Sequence, residues 1–206
     1  MTISLIINTC CLGPRAEAVL SSGKQPHNLR EFLLKCFIIP KAIESPAIDE
    51  IIVVGEYEPG EGYTYVHSPS VYFNCRDALH QRQAGFEASH GDVLLFQHDD
   101  HLVTGSLPPA SAFLGPENVG VVVPERQTRM RLWTGEQLPS GQGLYIMGHA
   151  ACYLREVLER CPWGDVLKYF DWDRAQTHQI RQAGYAIAWT DRLIAWDIEM
   201  GSKPWE

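Results

Sequence analysis

One apolar run constrains this chain more than any other stretch. Val93-Leu94-Leu95-Phe96 is entered through Gly91-Asp92 and left through Gln97-His98-Asp99-Asp100-His101. A continuous hydrophobic run of strand length reads as a strand buried on both faces, the pattern of a parallel sheet covered by helices. In open α/β sheets ligands bind just beyond the carboxyl ends of such strands, so the polar residues closing the run stand where chemistry is expected. Adjacent Asp99 and Asp100 repel one another unless solvent or a cation separates them, and carboxylate oxygen is the ligand that Mg²⁺ and Mn²⁺ prefer. A divalent cation is one reading of His98 to His101. A solvated turn after a core strand is the other, since Asp is common in turns.

The same pattern recurs upstream. Thr2 to Asn8 is an unbroken apolar strand that empties into Asn8–Pro14; it lacks a basic leader and is too short to span a membrane, unlike a signal peptide. Pro26 to about Cys36 carries Leu29, Phe32, Leu33 and Cys36 at helical spacing, with Pro26 suited to a first turn. Asp49 to Glu56 is a second apolar strand with an acidic exit, which completes a βαβ unit and brings Glu56 to the same sheet edge. Asn74 caps a helix that carries Asp77 in its first turn and runs to His90-Gly91. Downstream, the sequence predicts a loop over Thr104 to Asn118, a strand at Val119–Val123, and a long loop from Pro124 to Gly143. A strand at Leu144–Met147, helices at Ala151–Arg160 and Phe170–Ala183, and a closing strand at Ala186–Trp189 follow. The expected architecture is one α/β, Rossmann-like domain over residues 1–206, its mostly parallel sheet flanked by helices.

Composition narrows the function classes. A hydrophobic content of 45% over 206 residues is ample for a core. Twenty-five acidic against seventeen basic side chains give a formal charge of −8, which argues against nucleic-acid or anionic-membrane binding, because counterion release needs clustered Lys and Arg. The six cysteines show no CxxC pairing, so reduced thiols in a cytoplasmic protein are expected, several of them small core hydrophobes. The tryptophans suit either sugar stacking or a core, the commoner role. Arg126, Arg129 and Arg131 beside Trp133 read either as a lid over an acceptor or as a solvated loop.

Taken together, several stretches resemble the inverting family-2-type glycosyltransferases, which use nucleotide-diphosphate sugars and have the GT-A fold. Ile3–Thr9 looks like the family's first strand, Ile51–Glu56 like its second, and Arg82-Gln83-Ala84-Gly85 with Gly91-Asp92 like the lead into its DxD strand, where His98-Asp99-Asp100 then stands. Gly148–Leu158 resembles the segment before the catalytic helix, and Trp172-Asp173 with Arg181–Tyr185 resembles the acidic pair and the Gly-Tyr that follows it. The resemblance implies a nucleotide-binding half over 1–103 and an acceptor and catalytic half over 104–206. It also shows departures: His98 replaces the first Asp of DxD, Glu56 stands in for a pair of Asp residues, Trp172 precedes the catalytic position, and Asp197 lies where a metal-binding His is usual.

The resemblance assigns roles accordingly. Thr9, Glu56, Arg82, His98 and Asp99 would hold the nucleotide sugar, a UDP-sugar above all; Asp100, His98 and Asp197 would hold Mn²⁺ or Mg²⁺; Asp173 would take the proton of an acceptor hydroxyl on a glycan or other molecule. Sugar transfer builds negative charge on the departing diphosphate, which a cation or a forked arginine stabilises. The bland reading of Asp171 and Asp173 is a helix cap, and that of Arg82 a solvated charge. A sugar-nucleotide-binding protein without catalysis is the first alternative function. A nucleotidyltransferase is the second, and it wants a richer phosphate loop than Asn8–Arg15 provides.

Overall fold

The computed structural model describes residues 1–9, 27–69, 75–115, 117–125, 127–131, 137–138, 146, 150–163 and 172–199. The three apolar runs become neighbouring parallel strands: β1 (Ile3–Thr9), β2 (Glu50–Gly55) and β4 (Val93–His98), with β1 between the other two. β3 (Thr64–His67) adds a parallel edge beyond β2. On the far side of β4 lie β9 (Cys152–Leu154), β6 (Val119–Pro124) and β10 (Ala186–Thr190), giving a seven-stranded sheet in the order β10-β6-β9-β4-β1-β2-β3. Only β9 among them runs antiparallel to its neighbours.

Alternation along the strands feeds two cores. Leu5, Ile7, Val53, Val93 and Leu95 face one side, packing with α1 (His27–Leu33), the π-helical turn Leu34–Ile38 and α2 (Ile39–Ile43). Ile6, Ile52, Val54, Leu94 and Phe96 face the other, under α3 (Cys75–Ala88), α4 (Arg155–Arg160) and α5 (Trp172–Gln182). Because both faces are covered, these strands are apolar throughout. Cys152 and Cys161 are buried in this interior, as small hydrophobes would be. Gly85 lets α3 lie close on the sheet, since a Cβ there would meet Ile6 and Val54.

Several segments differ from expectation. The first helix continues past Cys36 through the π turn to Ile43; Pro40 lacks the N–H of a regular ladder and opens the α-helical turn that follows. The helix expected over Ala151–Arg160 begins only at Arg155, because Cys152 and Tyr153 are drawn between β4 and β6 as a three-residue strand too short to show a period. A second sheet, in the order β5-β11-β7-β8, adds to the expected architecture: β5 (His101–Gly105), β7 (Gln127–Arg131), β8 (Gln137–Leu138) and β11 (Leu193–Glu199) form where the sequence predicts loops or no element. Arg129 and Arg131 lie on β7. Cys10 to Arg15, Pro26, Asn74, Arg126, Trp133, Gly148, His149 and Asp171 lie outside the described residues, as does the strand expected at 144–147 apart from Ile146.

Candidate active site at the carboxyl edge

Strand register fixes what meets at the edge. Asn8 pairs in register with His98 on one side and Val54 on the other, Thr9 with Gly55, and the Asp99 backbone N–H donates to the Asn8 carbonyl at 3.1 Å. Thr9, Glu56, His98 and Asp99 therefore share one rim. The Thr9 hydroxyl donates to the Val54 carbonyl at 3.0 Å and locks β1 to β2 where they end. Close approach demands glycine at position 55, whose φ is +137° and whose added Cβ would overlap the Thr9 hydroxyl.

The acidic turn is buried and ion-paired. Asp99 is fully buried, so the solvated-turn reading does not hold. Arg30, from α1, donates through Nη1 to Asp99 Oδ1 at 2.7 Å and through Nη2 to Asp100 Oδ2 at 2.6 Å. Asp100 Oδ1 accepts from His101 Nδ1 at 2.6 Å, and Gln97 Nε2 steadies the turn by donating to the His101 carbonyl at 2.6 Å. Burial pushes the Asp99 carboxyl up to about 7 against the pull of Arg30. Burial also opposes ionisation of Asp100, but the His101 hydrogen bond and the Arg30 charge outweigh it and hold that carboxyl well below the usual range. Arg30 carried no local signal, standing 69 residues from Asp99.

His98 closes β4 and meets Arg82. The distance from Arg82 Nη2 to His98 Nε2 is 2.8 Å, and since a guanidinium only donates, Nε2 is the acceptor and the ring proton sits on Nδ1. Burial, and next the Arg82 charge, hold the imidazole pKa well below its ordinary value, so the ring is neutral. Arg82 is a buried residue on the sheet-facing side of α3, which overturns the solvated-charge reading. Its neighbour Tyr153 also feels the charge of Asp173, which stands in the first turn of α5. The Asp173 carbonyl accepts from Thr177 Oγ1 at 2.6 Å, while Gln176 Oε1 takes the Trp163 indole N–H at 2.8 Å. On the second sheet, β11 sets Asp197 opposite His101, and the Ile198 N–H donates to the Asp100 carbonyl at 3.0 Å.

A divalent ion does not fit this arrangement as it stands. Both Asp100 oxygens and Asp99 Oδ1 are taken by Arg30 or His101, and the His98 Nε2 lone pair is taken by Arg82. Among the described residues, no three His, Cys, Asp or Glu side chains are arranged to hold a metal ion.

What the rim leaves open is polar. Asn8 Oδ1, Glu56 Oε2, Arg82 Nε and Asp99 Oδ2 are buried and have no hydrogen-bond partner among the described residues. Most buried polar atoms in folded proteins are satisfied, so these four atoms along one edge have capacity for further hydrogen bonds beyond those the described residues supply.

The fold defines an α/β class of protein, a mostly parallel sheet flanked by helices with its polar rim at the strand ends. Among solved structures this arrangement is shared with S. aureus TarS, at TM-score 0.59 and 12% identity over 96% of this chain and 37% of that one. It is likewise shared with S. aureus TarS 1–349, at TM-score 0.51 and 14% identity over 96% of this chain and 60% of that one. A third structure, TarS 1–349 in complex with UDP-GlcNAc, matches at TM-score 0.53 and 15% identity over 98% of this chain and 61% of that one. The chain thus spans under two thirds of each of these. The expected GT-A-like architecture is met. No family model and no curated protein matches the sequence. No helix among the described residues is long and apolar enough to cross a membrane.

Proposed function

We propose that this chain is a sugar-nucleotide-dependent glycosyltransferase that moves a hexosyl group from a UDP-sugar to an acceptor hydroxyl with inversion. The observation that carries the reading is the row of buried polar atoms on Asn8, Glu56, Arg82 and Asp99 that have no partner among the described residues, set beside the buried Arg82 guanidinium at the carboxyl edge. Acceptors of hydrogen bonds on one flank suit a base and ribose, and forked cationic donors on the other suit phosphates. Sharing a fold with TarS, a protein solved in complex with UDP-GlcNAc, supports the same donor class.

Glu56 would receive ribose hydroxyls. Arg82 would offer Nε to a phosphate oxygen while its Nη2 donates to His98. As the bond to the diphosphate breaks, this fixed cationic donor meets charge that grows on the leaving oxygen. Asp173, in the first turn of α5, would take the acceptor proton from the face opposite the leaving group. Both Asp100 oxygens and Asp99 Oδ1, which would be the ligands of Mn²⁺ or Mg²⁺, accept from Arg30 and His101 instead.

Calorimetric titration with UDP, other nucleoside diphosphates and UDP-GlcNAc tests the binding, and donor turnover with an acceptor panel tests the chemistry. Arg82→Ala is expected to weaken UDP binding about tenfold or more, as loss of a charge-assisted pair does. Equal affinity in both proteins overturns the assignment of the rim, and tight binding with no turnover assigns a binding role instead of catalysis.

A further inference from the structure

We infer that Arg30 is the resident cation of the Asp99–Asp100 pair and that guanidinium and divalent metal are mutually exclusive occupants of it. Two adjacent carboxylates need positive charge between them. Arg30 supplies it with one nitrogen to each, at 2.7 and 2.6 Å, so a single planar cation bridges the pair just as one metal ion bridging two carboxylates would. The fork is nearly enclosed: Asp99 has no exposed side-chain surface, and Arg30 and Asp100 each retain 15%. His101 Nδ1 fills the remaining oxygen of Asp100. Only Asp99 Oδ2 is left without a hydrogen-bond partner among the described residues, and one oxygen does not make a binding site for Mn²⁺.

The bridging group comes from α1, an element of the opposite sheet face from Arg82 and α3. The pair therefore belongs to β4 while its counter-charge belongs to a helix, and removing that one side chain leaves three carboxylate oxygens free in one small space. Such a set has the charge and the chemistry to attract a hard cation.

The test uses the full chain, freed of metal, and Mn²⁺ alone as probe, with binding read from the loss of the free-ion electron paramagnetic resonance signal and from calorimetry. Arg30→Gln is expected to bind one Mn²⁺ about tenfold or more tightly than the unmodified protein, because affinity follows the number of free carboxylate ligands. Arg30→Lys keeps the charge and is expected to exclude Mn²⁺ as the unmodified protein does; adding Asp100→Asn to Arg30→Gln is expected to abolish the gain. Unmodified protein that binds Mn²⁺ as tightly as Arg30→Gln, or an Arg30→Gln protein that gains nothing, overturns the inference. Should Arg30→Gln fail to fold, the unmodified protein and Asp100→Asn still decide: micromolar Mn²⁺ binding that Asp100→Asn removes overturns it, and equal weak binding by both supports it. No nucleotide enters the experiment, so its failure leaves the donor reading standing.

Discussion

At the scale of single residues the site is governed by who donates to whom. His98 is neutral because burial, then the Arg82 charge, disfavour its imidazolium. An unfolded His98 takes up a proton as pH falls through about 6.5 whereas the folded one does not until well below, so the stability this residue contributes is present above that pH and lost as pH falls. His98→Gln has no such titration. Urea unfolding of the two proteins at pH 7 and pH 5 is expected to show the unmodified chain losing more, by at most about 2 kcal/mol. Asp173 poses the sharper chemical question. Asp173→Asn is expected to leave UDP affinity unchanged and to cut transfer by about 10²- to 10⁴-fold, the usual contribution of a positioned base. Equal transfer rates would return Asp173 to a helix-start residue.

At the scale of elements, strand ends and helix faces hold those side chains in place. β2 ends at Gly55 because φ +137° and the nearness of Thr9 exclude a side chain, a Cβ there lying 2.8 Å from the Thr9 carbonyl oxygen. Gly55→Ala is expected to cost about 1–3 kcal/mol in chemical denaturation, the penalty of a strained backbone, and to loosen the Thr9–Val54 lock. Behind the rim, Trp163 meets Phe96 of β4 edge-on at 4.6 Å and ties α5 down through Gln176. Trp163→Ala is expected to cost about 3–5 kcal/mol, because a large buried aromatic leaves a cavity, and Gln176 Oε1 then keeps only the 3.4 Å bond from Tyr153. Tryptophan here is core and hydrogen-bond donor together.

At the scale of the whole molecule, two sheets meet at the acidic turn. The seven-stranded sheet delivers His98 and Asp99, and the four-stranded sheet begins at His101, so Asp99-Asp100 is the joint between them. A ligand that bridges this joint ties both sheets to the folded state. UDP-GlcNAc at about 100 times its dissociation constant is expected to add about 2.7 kcal/mol, a rise in melting temperature of roughly 5–10 °C for a chain of this size. A thermal scan with and without the compound checks it, and an unchanged midpoint at saturating ligand counts against the donor reading.

The run Val93–Phe96 with its acidic exit, and its counterparts at Thr2–Asn8 and Asp49–Glu56, were legible because a strand buried on both faces must be apolar along its length and must end where polarity returns. That pattern by itself determined the α/β class, the parallel core of the sheet and the rim on which Glu56, His98 and Asp99 stand. Arg82 was legible as a cation one helix away from that rim, but not its bond to His98. Only the tertiary structure decided the rest. β9 exists because two strands clasp three residues, and the second sheet forms because β11, whose Leu193, Ala195 and Ile198 turn into the core, finds β5 and β7 as partners far away along the chain. Above all, the charge that answers Asp99 and Asp100 comes from Arg30, since a buried ion pair depends on distance in space and leaves no pattern along the chain.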